Sequence, residues 1–389
     1  EESNRFRLSM ARVVICGVAR TPIGKFRGSL SNLSAVELGI RSVKELLNRC
    51  NIDPSSGIID EVLFGQVLQA GAGQAPARQV ALGAGLPNTI AATTINKVCG
   101  SSLKAVMMAA NSIKAGEYKA IIAGGMESMT NAPKFEKRNG DEKEMISTMV
   151  HDGLWDVYND VHMGNTGEIV ANECNISREK MDAFAARSQN NAAQAEANGW
   201  FDWERFDMPE LSIDEGVRAG TTTETLAGLR PVFQEDGMVT AGNASTLNDG
   251  ASAVLVADED FAKANGWEII AVVEDYCTAG VEPSRVMYAP VPAIQMLLDR
   301  AGMDVLDIDV YEHNEAFASA SCAVAQEVGI PEDRFNLHGG AVALGHPLGS
   351  SGTRCLITMI GVMRRLEAKS GIVSLCLGGG NAVAMRISL

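Results

Sequence analysis

Basic residues are scarce in this chain: 33 Lys and Arg stand against 48 Asp and Glu, a net charge of −15 at pH 7. Nucleic acid and anionic membrane surfaces are held by clustered positive charge, so neither is an expected partner. No apolar run approaches the roughly 20 residues that cross a bilayer. The first ten residues, EESNRFRLSM, lack the apolar segment of a secretory leader and read as a short arm or tag remnant outside the fold. There is no CxxC pair among Cys16, Cys50, Cys99, Cys174, Cys277, Cys322, Cys355 and Cys376, which leaves a zinc or redox motif unsupported. Their scatter does not suit a disulfide scaffold and fits reduced thiols in the cytoplasm. No G-x-G-x-x-G opens a helix after the first strand, which removes dinucleotide binding. The expectation is a protein without metal or cofactor.

What is present is ordinary globular material, 46% apolar and 21% charged, in a chain long enough for two or three domains. RVVICGVA (12–19) is a β-branched run closed by a turn, hence a buried strand. Residues 34–50 have helical spacing behind a Ser34 cap. EVLFGQVL reads as the next strand, 100–116 as a helix and 119–125 as a strand. The later chain repeats this grammar: a helix at 290–302, strand, turn and helix at 308–329, a turn and helix from Gly345, and a strand pair at 370–387. The alternation predicts a layered α/β fold. CGSSLKAV with KAIIAGGMESM, and LGSSGTRC with GIVSLCLGGGNAVAM, share a Gly-Ser-Ser turn, helix, strand and Gly run, which suggests a duplication. Between the halves, about 127–245, the texture changes: three of the four tryptophans fall there, with a helical run from Arg178. It reads as an inserted domain whose charge run at 133–144 is a solvated loop.

Four turns could carry chemistry. Cys99 lies between a strand-like segment and a helix start, where the positive end of the helix dipole favours thiolate. Alone, the segment suits an inert buried cysteine better. Cys376 ends a strand before three glycines, which leave N–H groups free to face a ligand or merely make a turn. Asn314 precedes an apolar helix as a cap or as an amide aimed into a site. His346, in ALGHPLG, is framed by residues that fix backbone angles, as a base needs, or is a satisfied loop histidine. Together, a Cys–His pair plus a second thiol suit acyl transfer with proton abstraction.

The motifs NKVCGSSLKAV, GGMESMTNAP, NEAFA, GGAVALGHPLGSSG and CLGGGNA, in this order from about residue 10 to the end, resemble the thiolase family, in its biosynthetic type. The resemblance implies a duplicated five-layered α-β-α-β-α fold with an inserted loop domain. The first half would comprise 10–126 and 246–275, the insertion 127–245 and the second half 276–389. It implies acyl transfer in which Cys99 is acylated, His346 takes its proton, Cys376 removes the α-proton of a second acetyl-CoA, and Asn314 holds a water. The N–H groups of Cys99 and Gly378 would form an oxyanion hole. His162 and Met163, in VHMGN, mark the short-chain subtype. By the same resemblance Leu154, Arg218 and Ser245 contact CoA, Ala316 and Phe317 flank its pantetheine arm, and Met287 shortens the acyl pocket. Substrates would be acetyl-CoA and acetoacetyl-CoA, and the assembly a homotetramer.

Three positions depart from the family pattern: Tyr288 where Gly is usual, His338 for Asn, and His313 before NEAFA. Other readings are a longer-chain 3-ketoacyl-CoA thiolase and a non-catalytic acyl-CoA-binding protein on this fold.

Overall fold

A computed structural model describes residues 11–139 and 142–389; the amino-terminal segment read as an arm, with Met10, lies outside these residues. The core strands are β1 (Val13–Arg20), β2 (Glu61–Gly65), β3 (Ala91–Ile95), β4 (Ala120–Ser128), β5 (Asn248–Asp258), β6 (Ala271–Gly280), β7 (Val310–His313), β8 (Ser370–Leu377) and β9 (Asn381–Ser388). The main helices are α1 (Ala35–Arg49), α2 (Ser101–Lys114), α3 (Met163–Glu173), α4 (Arg178–Ala197), α5 (Pro290–Ala301), α6 (Ala318–Val328) and α7 (Ser351–Leu366). The Ser34 cap is present as a capping box. Its hydroxyl accepts the Glu37 N–H, and the Glu37 carboxylate accepts the Ser34 N–H.

The strands run in the order β7-β8-β9-β6-β1-β5-β4-β2-β3, with the short Gly24–Lys25 segment paired to β5. The duplication holds strand for strand. In the first half β2 is parallel to β4, β4 antiparallel to β5, and β5 antiparallel to β1. In the second half β7, β8, β9 and β6 repeat these relations in the same sequence. The outer strand β3, parallel to β2, has only a single parallel bridge, Tyr311 to Phe335, as its counterpart. Two residue pairs between β1 and β6 join the halves.

Packing explains the layers. Leu103, Val106 and Ile113 of α2 share one core with Leu356, Met359 and Ile360 of α7 and with Val254 and Leu375 of the sheet. Every residue of α7 from Ser351 to Met363 is buried, as a middle-layer helix must be. On one outside, Leu38, Val43 and Leu46 of α1 cover Val14, Val62 and Phe64. On the other, Ile294 and Leu297 of α5 and Ala320 and Val324 of α6 cover Tyr311, Ile372 and Ala384. The result is helix, sheet, helix, sheet, helix.

The insertion leaves the core after β4 and returns at β5. It holds α3, α4 and a π-helical turn at Met149–Leu154. The charge run expected to be a loop is instead an antiparallel hairpin, Lys134–Asn139 paired with Glu142–Ser147. Charged side chains alternating with Phe135 and Met145 suit an exposed two-stranded ribbon. A domain boundary at 275/276 cuts β6; the start of that strand, Ala271, is the physical seam. Among the described residues no helix is long and apolar enough to cross a membrane.

Candidate active site

The turn from β3 to α2 is built to present Cys99. Val98 sits at φ +46°, a conformation that costs a β-branched residue about 1–3 kcal/mol. Side chains hold it there: Asn96 Oδ1 accepts the Val98 N–H (3.0 Å), and Ser101 Oγ donates to the Val98 carbonyl (2.6 Å) while accepting the Lys97 N–H (2.8 Å). Cys99 therefore emerges at the bottom of a cavity of about 620 Å³.

Cys376, near the end of β8, and His346, in the loop before α7, line the same cavity, as does Gly378 in the turn to β9. The Cys376 thiol lies 3.6 Å from the Met287 sulfur. His346 is oriented from three sides. Gly345 has φ +109°, and any side chain there would strike the Asn248 amide. The His346 N–H donates to Asn248 Oδ1 (2.9 Å), Nδ1 meets Ser351 Oγ at 2.6 Å, and Nε2 meets Asn314 Nδ2 at 3.4 Å. Asn314 is fully buried behind His346 rather than on the wall. It is not a helix cap: the residue at the α6 N-cap is Phe317.

The helix dipole is not the deciding influence on the Cys99 thiol. Burial, with a smaller push from Cys376, holds this thiol well above its ordinary pKa, although part of its surface opens to the cavity. The backbone N–H groups of Cys99 itself and Gly378 oppose the shift without reversing it. Cys376 is likewise pushed up, to about 12, by burial. His346 is pushed down to about 3, by burial and then by the Arg354 guanidinium. The resting pair is thus neutral thiol and neutral imidazole. Alkylation of Cys99 by iodoacetamide should keep accelerating as pH rises past about 9. A plateau below pH 7 would mean a preformed thiolate and overturn this assignment.

The remaining residues singled out in the sequence, Leu154, His162, Met163, Arg218, Ser245, Met287, Ala316 and Phe317, all line the cavity. Leu154 comes from the π-helical turn, a distortion frequent at functional sites. His162 accepts the Gly164 N–H on Nδ1 (3.0 Å) and stacks on Phe233, so its Nε2 carries the proton. Arg218 is exposed on the wall, with Lys25 as a second cation.

The three departures lie elsewhere. His338 is sandwiched outside the site, stacked on Trp200 and accepting from Arg365 Nε at 3.0 Å. His313 is buried against Phe335 with Nδ1 on Ser374. Tyr288 pairs with Arg285 and Glu327 beside the pocket-lining Met287. Sequence reasoning passed over Glu127. This buried carboxylate accepts the N–H groups of Val67, Leu68 and Gly349, tying the His346 loop to the end of β2. Burial pushes it up to about 7. Its signal was the acid inside an apolar strand, in AGGMES.

A duplicated five-layer α/β fold with two thiols and an imidazole on one cavity defines the class. The family model for the thiolase N-terminal domain matches residues 13–260, and that for the C-terminal domain matches 267–389. The chain belongs to the thiolase family and is an acyltransferase. Among its relatives is an acetyl-CoA acetyltransferase of Cupriavidus necator, 47% identical, the match covering 97% of this chain and 99% of that one. One of Pseudomonas aeruginosa is 46% identical over 97% of this chain and 100% of its own length. A thiolase of Ascaris suum, solved in complex with coenzyme A, superimposes with a TM-score of 0.92 at 37% identity, covering 97% of this chain and 99% of that chain.

Proposed function

We propose that the chain is an acetyl-CoA C-acetyltransferase, joining two acetyl-CoA reversibly into acetoacetyl-CoA and CoA through acetyl-Cys99. The observation that carries this reading is the convergence of Cys99, Cys376, His346 and Gly378 on one cavity.

Proton balance assigns the steps. Cys99 is a resting thiol, so its S–H proton passes to His346 as the sulfur attacks the thioester carbonyl. The N–H groups of Cys99 and Gly378 take the charge that develops on that oxygen. The C–S bond to CoA breaks, and Cys376 gives its proton to the departing CoA thiolate. Cys376 is then the thiolate that removes the α-proton of the second acetyl-CoA, whose enolate oxygen is met by His346-Nε2–H and a water on Asn314. The enolate carbon attacks acetyl-Cys99, and Cys99 leaves and recovers its proton from His346. Every proton returns, so the route draws on no metal or cofactor.

The names of the relatives support acetyl-CoA as substrate. Leu154, His162, Met163, Arg218, Ser245, Ala316 and Phe317 serve as the CoA-binding wall, and Arg218 supplies positive charge against the global −15. Buried Met287, against Cys376, limits acyl length and favours acetoacetyl-CoA over longer 3-ketoacyl-CoA. A homotetramer in the cytoplasm completes the reading.

Intact-mass analysis after acetyl-CoA exposure tests it: one acetyl group is expected, absent in Cys99→Ala. No adduct on the native protein would favour a non-catalytic CoA-binding role. In the thiolytic direction kcat/KM should fall by at least about 100-fold from acetoacetyl-CoA to a long-chain 3-ketoacyl-CoA, and a preference for the long chain would reverse the subtype.

A further inference from the structure

The acyl-transfer reading needs His346 to be a base at one particular nitrogen. We propose that Ser351, at the start of α7, is a positioning residue that fixes His346 as its Nδ1–H tautomer and so leaves Nε2 as the basic nitrogen.

The imidazole is held at both ends of one chain of contacts. Ser351 Oγ lies 2.9 Å from the Pro347 carbonyl oxygen and 2.6 Å from His346 Nδ1. A carbonyl oxygen can only accept, and that of Pro347 also takes the Ser350 and Ser351 N–H groups; the single hydroxyl hydrogen fills the contact to Pro347 in one tautomer and the contact to Nδ1 in the other, and only the first leaves no pair of lone pairs facing each other. The hydroxyl oxygen then accepts, and Nδ1 must carry the proton. From the other end, Arg354 Nη2 donates to the Cys355 sulfur at 2.9 Å, and that sulfur lies 3.9 Å from Asn314 Oδ1. Burial pushes Cys355 up to about 12, so it is a thiol whose S–H points to Oδ1. The Asn314 amide N–H2 is thereby turned towards His346 Nε2, 3.4 Å away, which must accept.

Both ends demand the same tautomer. The opposite one would set an Nε2–H against an amide N–H and hydroxyl lone pairs against a carbonyl. Such like-against-like contacts are costly at a site this dry: Ser351, Asn314 and Cys355 are each at most 1% exposed. The functional consequence lies at Nε2. In the resting enzyme this nitrogen can take the Cys99 proton, and only after doing so does it become an N–H donor to an enolate oxygen. The same atom therefore serves the acylation step empty and the condensation step loaded. Ser351 follows His346 by five residues and does not itself line the cavity, and its hydroxyl bonds to the imidazole, so its role is exercised through that ring.

The test is long-range 1H–15N correlation of protein labelled with 15N-histidine, with the His346 signals assigned by their loss in His346→Gln. Wild-type His346 is expected as Nδ1–H. Ser351→Ala should move it substantially to Nε2–H and lower kcat by about 10- to 100-fold with KM changed less than about threefold. Ser351→Thr, which keeps the hydroxyl, should restore tautomer and rate. A wild-type Nε2–H signal, or Nδ1–H retained in Ser351→Ala with kcat within twofold of wild type, overturns the proposal. The wild-type spectrum decides even where a variant fails to fold. Native protein without turnover would sink the acyl-transfer reading while the spectrum still judged the tautomer.

Discussion

Cys376→Ala is expected to leave Cys99 acetylated after exposure to acetyl-CoA while condensation falls by about 10³-fold or more. The two half-reactions ask different things of this thiol. In acylation Cys376 only protonates a departing CoA thiolate, a leaving group that departs tolerably without help, so the adduct forms more slowly but still forms. In condensation it is the base that takes a carbon-bound proton. Among the described residues that line the cavity, Cys99 is then blocked as a thioester and His346 already holds the Cys99 proton. No base is left. The change removes one sulfur atom from a site packed against Met287, so collapse of the fold is not expected from it. The measurement is paired: intact mass for the adduct, and acetoacetyl-CoA formation for condensation. Equal losses in both would make Cys376 as necessary to acylation as to condensation and break the division of labour. By contrast, Cys99→Ala should abolish both.

Much of this site was legible because local chemistry and local structure coincide. Cys99, His346 and Cys376 each sit where glycines or a proline interrupt regular structure, and such interruptions are visible in one dimension. The capping box at Ser34 and the alternation of strands and helices were local signals too. The misreadings came from effects that depend on surroundings. Helix-dipole reasoning favours a Cys99 thiolate, yet burial outweighs the dipole, with smaller pushes from Cys376 on β8 and Glu127 on β4, both distant in sequence. Asn314 looked like a cap because the sequence puts it before a helix; it is drawn instead to His346, 32 residues further on. The hairpin in the insertion carried its own signal, Gly140-Asp141 between two short runs, obscured by the surrounding charge; these two residues lie outside the described ones. Glu127 and Ser351 were inside quoted motifs, but nothing local says that one collects three N–H groups from two loops and the other settles a tautomer.

The docking of the insertion onto the core rests on a contact that the sequence does not advertise, and Arg20→Met should expose its weight. Arg20, at the end of β1, is fully buried. Its Nε donates to Glu204 (2.6 Å) and its two terminal nitrogens grip Asp214 (2.8 and 2.9 Å), both acids belonging to the insertion. The two carboxylates respond differently. Burial pushes Asp214 up, but Arg20, then Arg205 and the Ile23 N–H, outweigh it and hold its pKa below the ordinary value. Glu204 has fewer partners, one oxygen without any, and burial leaves it raised despite Arg20. Methionine fills similar volume without charge, so the variant leaves Glu204 with only the Thr358 hydroxyl and Asp214 with Arg205 and the Ile23 N–H. Breaking such a pair costs about 3–5 kcal/mol when the remaining groups stay ionised. The cost depends on pH in a definite direction. In the wild type the depressed Asp214 contributes stability that is present above its ordinary pKa and lost only as pH falls through the lower, folded value. In the variant Glu204, already raised by burial, loses the cation that opposed the rise, so its contribution is intact below the ordinary carboxylate range and is lost as pH rises through the raised value, while Asp214 loses the largest of the partners that held it down. The deficit relative to wild type should therefore be largest near pH 8 and shrink by pH 5, in denaturant unfolding at each pH. Hydrogen exchange should quicken first in residues 200–216, where the insertion meets β1. A deficit equal at both pH values would mean that Arg20 acts by packing alone, and the buried charges would lose their part in holding the insertion over the site.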